Sequence, residues 1–249
     1  TDYDYMRVHN VYELQHMDAK QVNAGVTGSA KTIIGRYMLA KDIDARETKD
    51  WDRGFQPIGD ETTTFRGQFD GVGHTITGLT IKPPTDTSGT LSRGMFAYIN
   101  HGAVVENVSL KDASVSGRDS VGGIVGAAEY RSIIRNVSFS GKVHGIGNHA
   151  YNNSYGGIAG MIKNGSRIEN AYHEGTVEGN GMVGGIAGYV FDNSTVQNVR
   201  NAGKVLGNRQ IGGIAGSVEW SSVRNAVQTG TVEQRSGQGD PTVGGVVGL

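Results

Sequence analysis

The residues of this sequence that could do chemistry are its aspartates, its histidines, its glycine-rich segments and two long loops. Aspartates gather at Asp42, Asp44, Asp50, Asp52, Asp60 and Asp70. Clustered carboxylates can hold calcium and, beside a basic residue, support cleavage of acidic polysaccharides. Here they fall in stretches that read as turns, where aspartate bonds to its own backbone, so a turn role is expected. Seven histidines (His9, His16, His74, His101, His144, His149 and His173) are scattered, with no pair at metal-ligand spacing. No glycine-rich segment matches the phosphate-loop pattern G-x-x-x-x-G-K-[ST] or stands between a strand and a helix, so the glycines read as structural. What remains is binding. Two insertions, HGIGNHAYNNSY (His144 to Tyr155) and QRSGQGDP (Gln234 to Pro241), supply the candidate contacts His144, His149, Tyr151, Asn152, Tyr155, Arg235 and Asp240. Tyr130, Tyr189, Phe191 and Trp220 are further candidate aromatic anchors.

A tandem repeat must position these side chains. Five segments share one motif: VGGIVG from Val121, YGGIAG from Tyr155, VGGIAG from Val183, IGGIAG from Ile211 and VGGVVG from Val243, with starts 34, 28, 28 and 32 residues apart. Their doublets are Gly122–Gly123, Gly156–Gly157, Gly184–Gly185, Gly212–Gly213 and Gly244–Gly245. A second motif, [VI]-x-N-[AV], places Asn107, Asn136, Asn170, Asn198 and Asn225 in the same register. Two linked motifs in register five times make an array of stacked units. Glycine doublets cost a helix about 2 kcal/mol per unit, and β-branched residues dominate the remainder, so the units are strands and turns.

Side-chain parity shapes each coil. In VQNV, an inward Val196 would put Val199 outward unless the chain bends between them. Asparagine tolerates the left-handed backbone, so a bend is expected at each repeat asparagine, and stacked amides could then form a ladder. The glycine doublets read as strand, with Ile124, Ile158, Ile186, Ile214 and Val246 on one face. Asn10 with Glu13 reads as a capping box opening a short helix through Val11, Leu14 and Met17. The expected class is all-β: a parallel β-helix, or β-solenoid, with a short N-terminal capping helix. Residues 1–30 form the cap, 31–92 opening degenerate coils, and 93–249 the tandem coils. Six or seven coils make a rod roughly 30 Å long. The abrupt stop after VVGL reads as an excised piece of something longer.

Composition narrows the partners. Forty of 249 residues are glycine, more than twice the ordinary share, while proline numbers four. The 23 basic and 24 acidic residues nearly cancel, which argues against nucleic acid or an anionic membrane as partner. Cysteine is absent, so there are no disulfides or thiolate metal sites. No stretch approaches the ~18 apolar residues of a membrane span.

The repeat resembles the GLUG motif of bacterial surface proteins, with isoleucine or valine in the leucine slot, over roughly residues 93 to 249. YMLAKDIDA (Tyr37 to Ala45), FQPIG (Phe55 to Gly59) and FRGQFDGVGHTITGLTI (Phe65 to Ile81), with the leading NVYELQHMDA, are similar to the N-terminal region of streptococcal immunoglobulin A-specific zinc metallopeptidases. That resemblance implies a secreted or cell-wall-associated, monomeric accessory domain. It also implies immunoglobulin A or another host protein as partner, and zinc in the parent protein. The family's zinc site uses a His-Glu-x-x-His helix. The one His-Glu pair here, His173-Glu174, continues Gly175-Thr176-Val177 without a second histidine, so no cofactor is expected in this fragment. An adhesin stalk and a polysaccharide-active β-helix enzyme are the rival readings.

Overall fold

A computed structural model describes residues 5–18, 31–83, 92–147, 153–235 and 241–248, and in it each repeat closes one turn of a parallel coil. The turn beginning at Thr195 shows the plan. Thr195–Asn201 and Lys204–Gly207 run along one long face, Gln210–Gly212 along a short one, and Ala215–Glu219 along a third. Ser222–Gln228 then begins the next layer over Thr195–Asn201. Among the described residues this stacking builds a bent sheet of 13 strands, a short sheet of five and a third sheet of seven. All the named strand pairings are parallel, and one isolated bridge, Gly54 to Ile81, is antiparallel. Eight strands stack along the bent sheet, and their seven spacings of ~4.8 Å give a stack of about 30 Å.

The asparagines bend the long face as their chemistry requires. Asn107, Asn136, Asn170, Asn198 and Asn225 all have left-handed backbones, with φ of 54°, 53°, 53°, 55° and 47°. The bend resets the alternation, so Val196 and Val199 are both buried. The amides then bond layer to layer. Asn136 Nδ2 donates to Asn107 Oδ1 and Asn170 Nδ2 to Asn136 Oδ1, each at 2.9 Å. Asn198 donates to Asn170 at 3.2 Å and Asn225 to Asn198 at 3.1 Å. Asp70 ends this ladder by accepting from Asn107 Nδ2 at 3.0 Å, a role beyond its expected turn bond to Val72 N.

The glycine doublets are corners, which corrects their reading as strand. The short-sheet strand Ser120–Gly122 stops at the doublet, and the third-sheet strand begins at Val125. Neither Gly122 nor Gly123 has a positive φ, so the requirement is space. A Cβ on Gly123 would fall inside contact distance of the Phe139 ring and of the Gly157 carbonyl, and one on Gly122 would meet the Val125 carbonyl. Ile124, Ile158, Ile186 and Ile214 point from these corners into the core, fully buried. Val246, in the last layer, is 40% exposed.

The interior changes along the stack. Tyr37, Phe65, Phe69 and Phe96 fill its first layers, with Phe65 and Phe96 centroids 4.8 Å apart. Over that end lies helix α1 (Val11–Gln15), continued by a tighter turn through His16–Asp18. Asn10 caps α1 by accepting from Glu13 N at 2.9 Å, while Glu13 reaches back to His9 N, one residue earlier than an ordinary capping box. Val11, Leu14 and Met17 are buried against the coils, and the Tyr37 hydroxyl donates to Met17 O at 2.8 Å.

The ladder and the bend contribute separately to stability. Asn170→Gly keeps the left-handed backbone and loses two amide bonds; Asn170→Ala loses both as well. The alanine variant is expected to be less stable than the glycine variant by about 1 kcal/mol, read from denaturant unfolding midpoints.

Candidate functional site

Between the third sheet and the bent sheet the chain reverses in two residues. His101–Gly102, Tyr130–Arg131, Asn164–Gly165 and Asp192–Asn193 each have two consecutive positive φ values; in the following layer Trp220 has φ 47°. Paired left-handed residues make the turn that favours Asn-Gly and Asp-Gly. Asn164–Gly165 obeys that preference. Tyr130 (φ 50°) and Trp220 do not, and a bulky residue there costs about 1 kcal/mol or more. Main-chain bonds stack these turns, from Gly102 N to Tyr130 O (2.9 Å), Arg131 N to Asn164 O (3.0 Å), Gly165 N to Asp192 O (2.9 Å) and Asn193 N to Trp220 O (2.8 Å).

The stacked turns line an open groove of about 790 Å³ running from His101 to Asn193. Aromatic rings line one end of it, and a second aromatic group stands in the layers beside and beyond Asp192–Asn193, outside the lining. His101 and Tyr130 centroids lie 4.9 Å apart; Phe191 lies 5.4 Å from both Tyr189 and Trp220. Tyr130 is 47% exposed and Trp220 78%. On the adjoining sheet face, the buried Glu129 carboxylate pairs with Lys163 Nζ at 2.7 Å. Burial and that carboxylate push the Tyr98 phenol up, and burial with Glu219 pushes Tyr189 up to about 12. Both phenols stay protonated at neutral pH.

The candidate contacts read from the sequence do not converge. His149, Tyr151, Asn152 and Asp240 lie outside the described residues. His144 sits on the bent sheet, where Glu178 pairs with it and with Lys142 (2.6 Å). Arg235 follows Thr231–Gln234 in the last layer, three coils from His144 along the column His144–Glu178–Leu206–Glu233. Tyr155 as a surface contact is corrected: it is fully buried, with its hydroxyl donating to Arg118 O at 2.6 Å. Its register was the available signal, because Tyr155 fills the slot held by Val121, Val183, Ile211 and Val243. A ring fits there because Gly145, Gly147 and Gly179 leave room for it. Of the aromatic anchors, Tyr189, Phe191 and Trp220 come together, while Tyr130 packs on His101 three turns away along the same corner.

The aspartates act in turns and in bonds to the next coil. Asp42 accepts from Thr75 N and pairs with His74, Asp44 pairs with Arg46, and Asp60 accepts from Thr62 N and Thr63 N. Among the described residues no three His, Cys, Asp or Glu side chains come together to hold zinc, and His173 and Glu174 point to opposite faces of the strand Arg167–Glu178. His173 belongs to the interior, in the column Leu110–Phe139–His173–Asn201–Gln228. Its ring stacks on Phe139 at 6.0 Å, and its Nδ1 bonds to Asn201 Oδ1 at 2.6 Å.

Coil, corner and repeat define the class, a GLUG-repeat parallel β-solenoid; the model of the GLUG motif matches residues 117–143. Among particular proteins, the chain is 38% identical over 134 residues to halomucin of Haloquadratum walsbyi (strain DSM 16790 / HBSQ001). That alignment covers 51% of this chain and only 1% of halomucin's length. The chain also superposes, with a TM-score of 0.62 and 18% identity, on the crystal structure of a protein from Bacteroides ovatus provisionally named an immunoglobulin A1 protease. The superposition covers 98% of this chain and 84% of that one, a likeness of fold.

Burial lowers the His173 pKa to about 4, outweighing the Asn201 bond, whereas the unfolded chain binds that proton near pH ~6.5. The unfolded state therefore takes up the proton first as pH falls. Stability from the neutral ring is complete above pH ~6.5 and shrinks by about 3 kcal/mol on approaching pH 4. His173→Phe, matching Phe139 one layer away, is expected to flatten that part of the stability-against-pH curve. Unfolding midpoints measured across the window check it.

Proposed function

We propose that this chain is a non-catalytic solenoid domain of a secreted or cell-surface protein, and that the parent is an immunoglobulin A protease-like zinc metallopeptidase. In this reading the domain spaces the enzyme or helps it to recognise its protein substrate. The observation that carries it is the superposition over 98% of the chain on a protein provisionally named an immunoglobulin A1 protease. Two features favour a supporting role. The main chain is tied layer to layer along three faces, which suits a stiff spacer. Among the described residues the aspartates of the opening coils, the Lys142–Glu178–His144 group and the buried His173 are engaged at separate places in turns, ion pairs and the core. Zinc belongs to the parent, and no cofactor is assigned to this domain. The likeness to halomucin favours the second reading, a repeat region of an extracellular adhesin.

The two readings separate in the parent protein. Deleting this domain is expected to leave hydrolysis of a short hinge peptide intact and to slow cleavage of intact immunoglobulin A. The isolated chain is expected to bind the antibody without cutting it. A parent that cleaves neither substrate removes the protease reading and leaves the adhesin.

A further inference from the structure

We infer that the turn corner is a binding site for a neutral oligosaccharide, seated against Tyr130 and Trp220. The inference rests on the proposed contact role of the domain and names the chemistry of what it contacts. Strain is the first observation. The coil closes two of these turns with Asn164–Gly165 and Asp192–Asn193, residues suited to left-handed backbone, and the first with His101–Gly102, yet it holds Tyr130 and Trp220 at φ 50° and 47°. Neither ring returns that strain through burial, since one is about half exposed and the other mostly so. Rings kept out in water on strained backbone are placed for contact.

Shape and polarity give the occupant. A pyranose ring has a C–H face that packs on an aromatic π-face and an edge of hydroxyls that needs hydrogen-bonding partners. Tyr130, packed on His101 at 4.9 Å, supplies the first within the groove, and Trp220, packed on Phe191 at 5.4 Å, supplies it in the layer beyond Asn193. Between them Asn164, Asp192 and Asn193 supply amide and carboxylate groups that bond vicinal hydroxyls. Two of the lining residues, Gly102 and Gly165, border open space. A Cβ on Gly102 would meet nothing within 4 Å, and one on Gly165 only the Arg131 side chain at 3.6 Å, so the trough is wide and shallow.

The same features disfavour other ligands. In the central layers of the groove the flanking strands are paired on both sides, leaving no edge for an added peptide strand. The groove also lacks a deep aliphatic pocket for an anchoring side chain. Charge is balanced locally, with Arg131 and Asp192 in the lining and Lys163 bonded to Glu129 beside it, so a polyuronate gains no field.

The test probes the purified chain on an array of neutral oligosaccharides (glucose, mannose, galactose and N-acetylglucosamine series) beside polyuronates and unglycosylated peptides. At least one neutral series is expected to bind and to shift Trp220 fluorescence. Tyr130→Asn and Trp220→Asn should each weaken binding at least about tenfold. Neither should lower the thermal midpoint, because asparagine suits the left-handed turn. A folded variant that keeps its affinity overturns the inference, and so does an array on which only polyuronates, only peptides or nothing binds. Antibody capture measured on the same variants keeps the two ideas apart: glycan binding lost with capture intact supports the corner site, and capture lost in the wild-type chain counts against the protease reading alone.

Discussion

Everything in this fold depends on one coil lying directly on the next at the spacing of a parallel main-chain hydrogen bond. That distance leaves no freedom at the corners. Where the chain turns from the short sheet into the third sheet, carbonyls of adjacent layers come so close that a side-chain carbon does not fit, and glycine becomes obligatory for reasons of volume. The asparagine bends obey the same spacing from the other side. They put identical amides one above the other, close enough to bond, and each bond is available only because every layer bends at the same residue.

Within that frame the interior is graded. Aromatic rings fill the layers beneath the N-terminal helix, aliphatic side chains follow, and a polar column of His173, Asn201 and Gln228 occupies the far layers. Asn201 is satisfied inside the coil, donating to Gly213 O at 2.8 Å and to Gln228 Oε1 at 2.9 Å while accepting from Gly203 N at 2.9 Å. Buried polar groups of this kind add little net stability but fix neighbours in register, because a slipped layer would strand them. The outer face of the bent sheet repeats that logic with charge: Glu106, Arg135, Glu169 and Gln197 stand in one column, and Arg135 bonds to Glu106 at 2.7 Å. Register is thus written on both sides of the sheet.

Scaffold and surface are divided between different corners. The glycine-doublet corner is buried in every layer but the last, and after the doublet it varies only between alanine, valine and isoleucine. The two-residue turn corner is solvent-facing and differs in every layer, since its only demand is a left-handed backbone. The insertions after His144 and Gln234 leave from a third corner, between the bent and short sheets. A solenoid can change its contacts at the second and third corners without disturbing the first.

Much of the architecture was legible in the residues themselves. The repeat fixed the coil, parity demanded the bend at each asparagine, and Asn10 with Glu13 marked the cap, because each is a local requirement repeated in register. The linear order could not show that the glycine doublet is a corner, since a glycine needed for space looks the same as one in a strand. Nor could it send Tyr155 inward from the end of an insertion or hide His173 beneath Phe139. Tyr130 and Trp220 were recognisable as aromatics but not as the neighbours of His101 and Phe191. Those pairings exist only once successive coils are stacked, because residues about thirty positions apart in the chain meet through the main-chain ladder and through nothing written beside them.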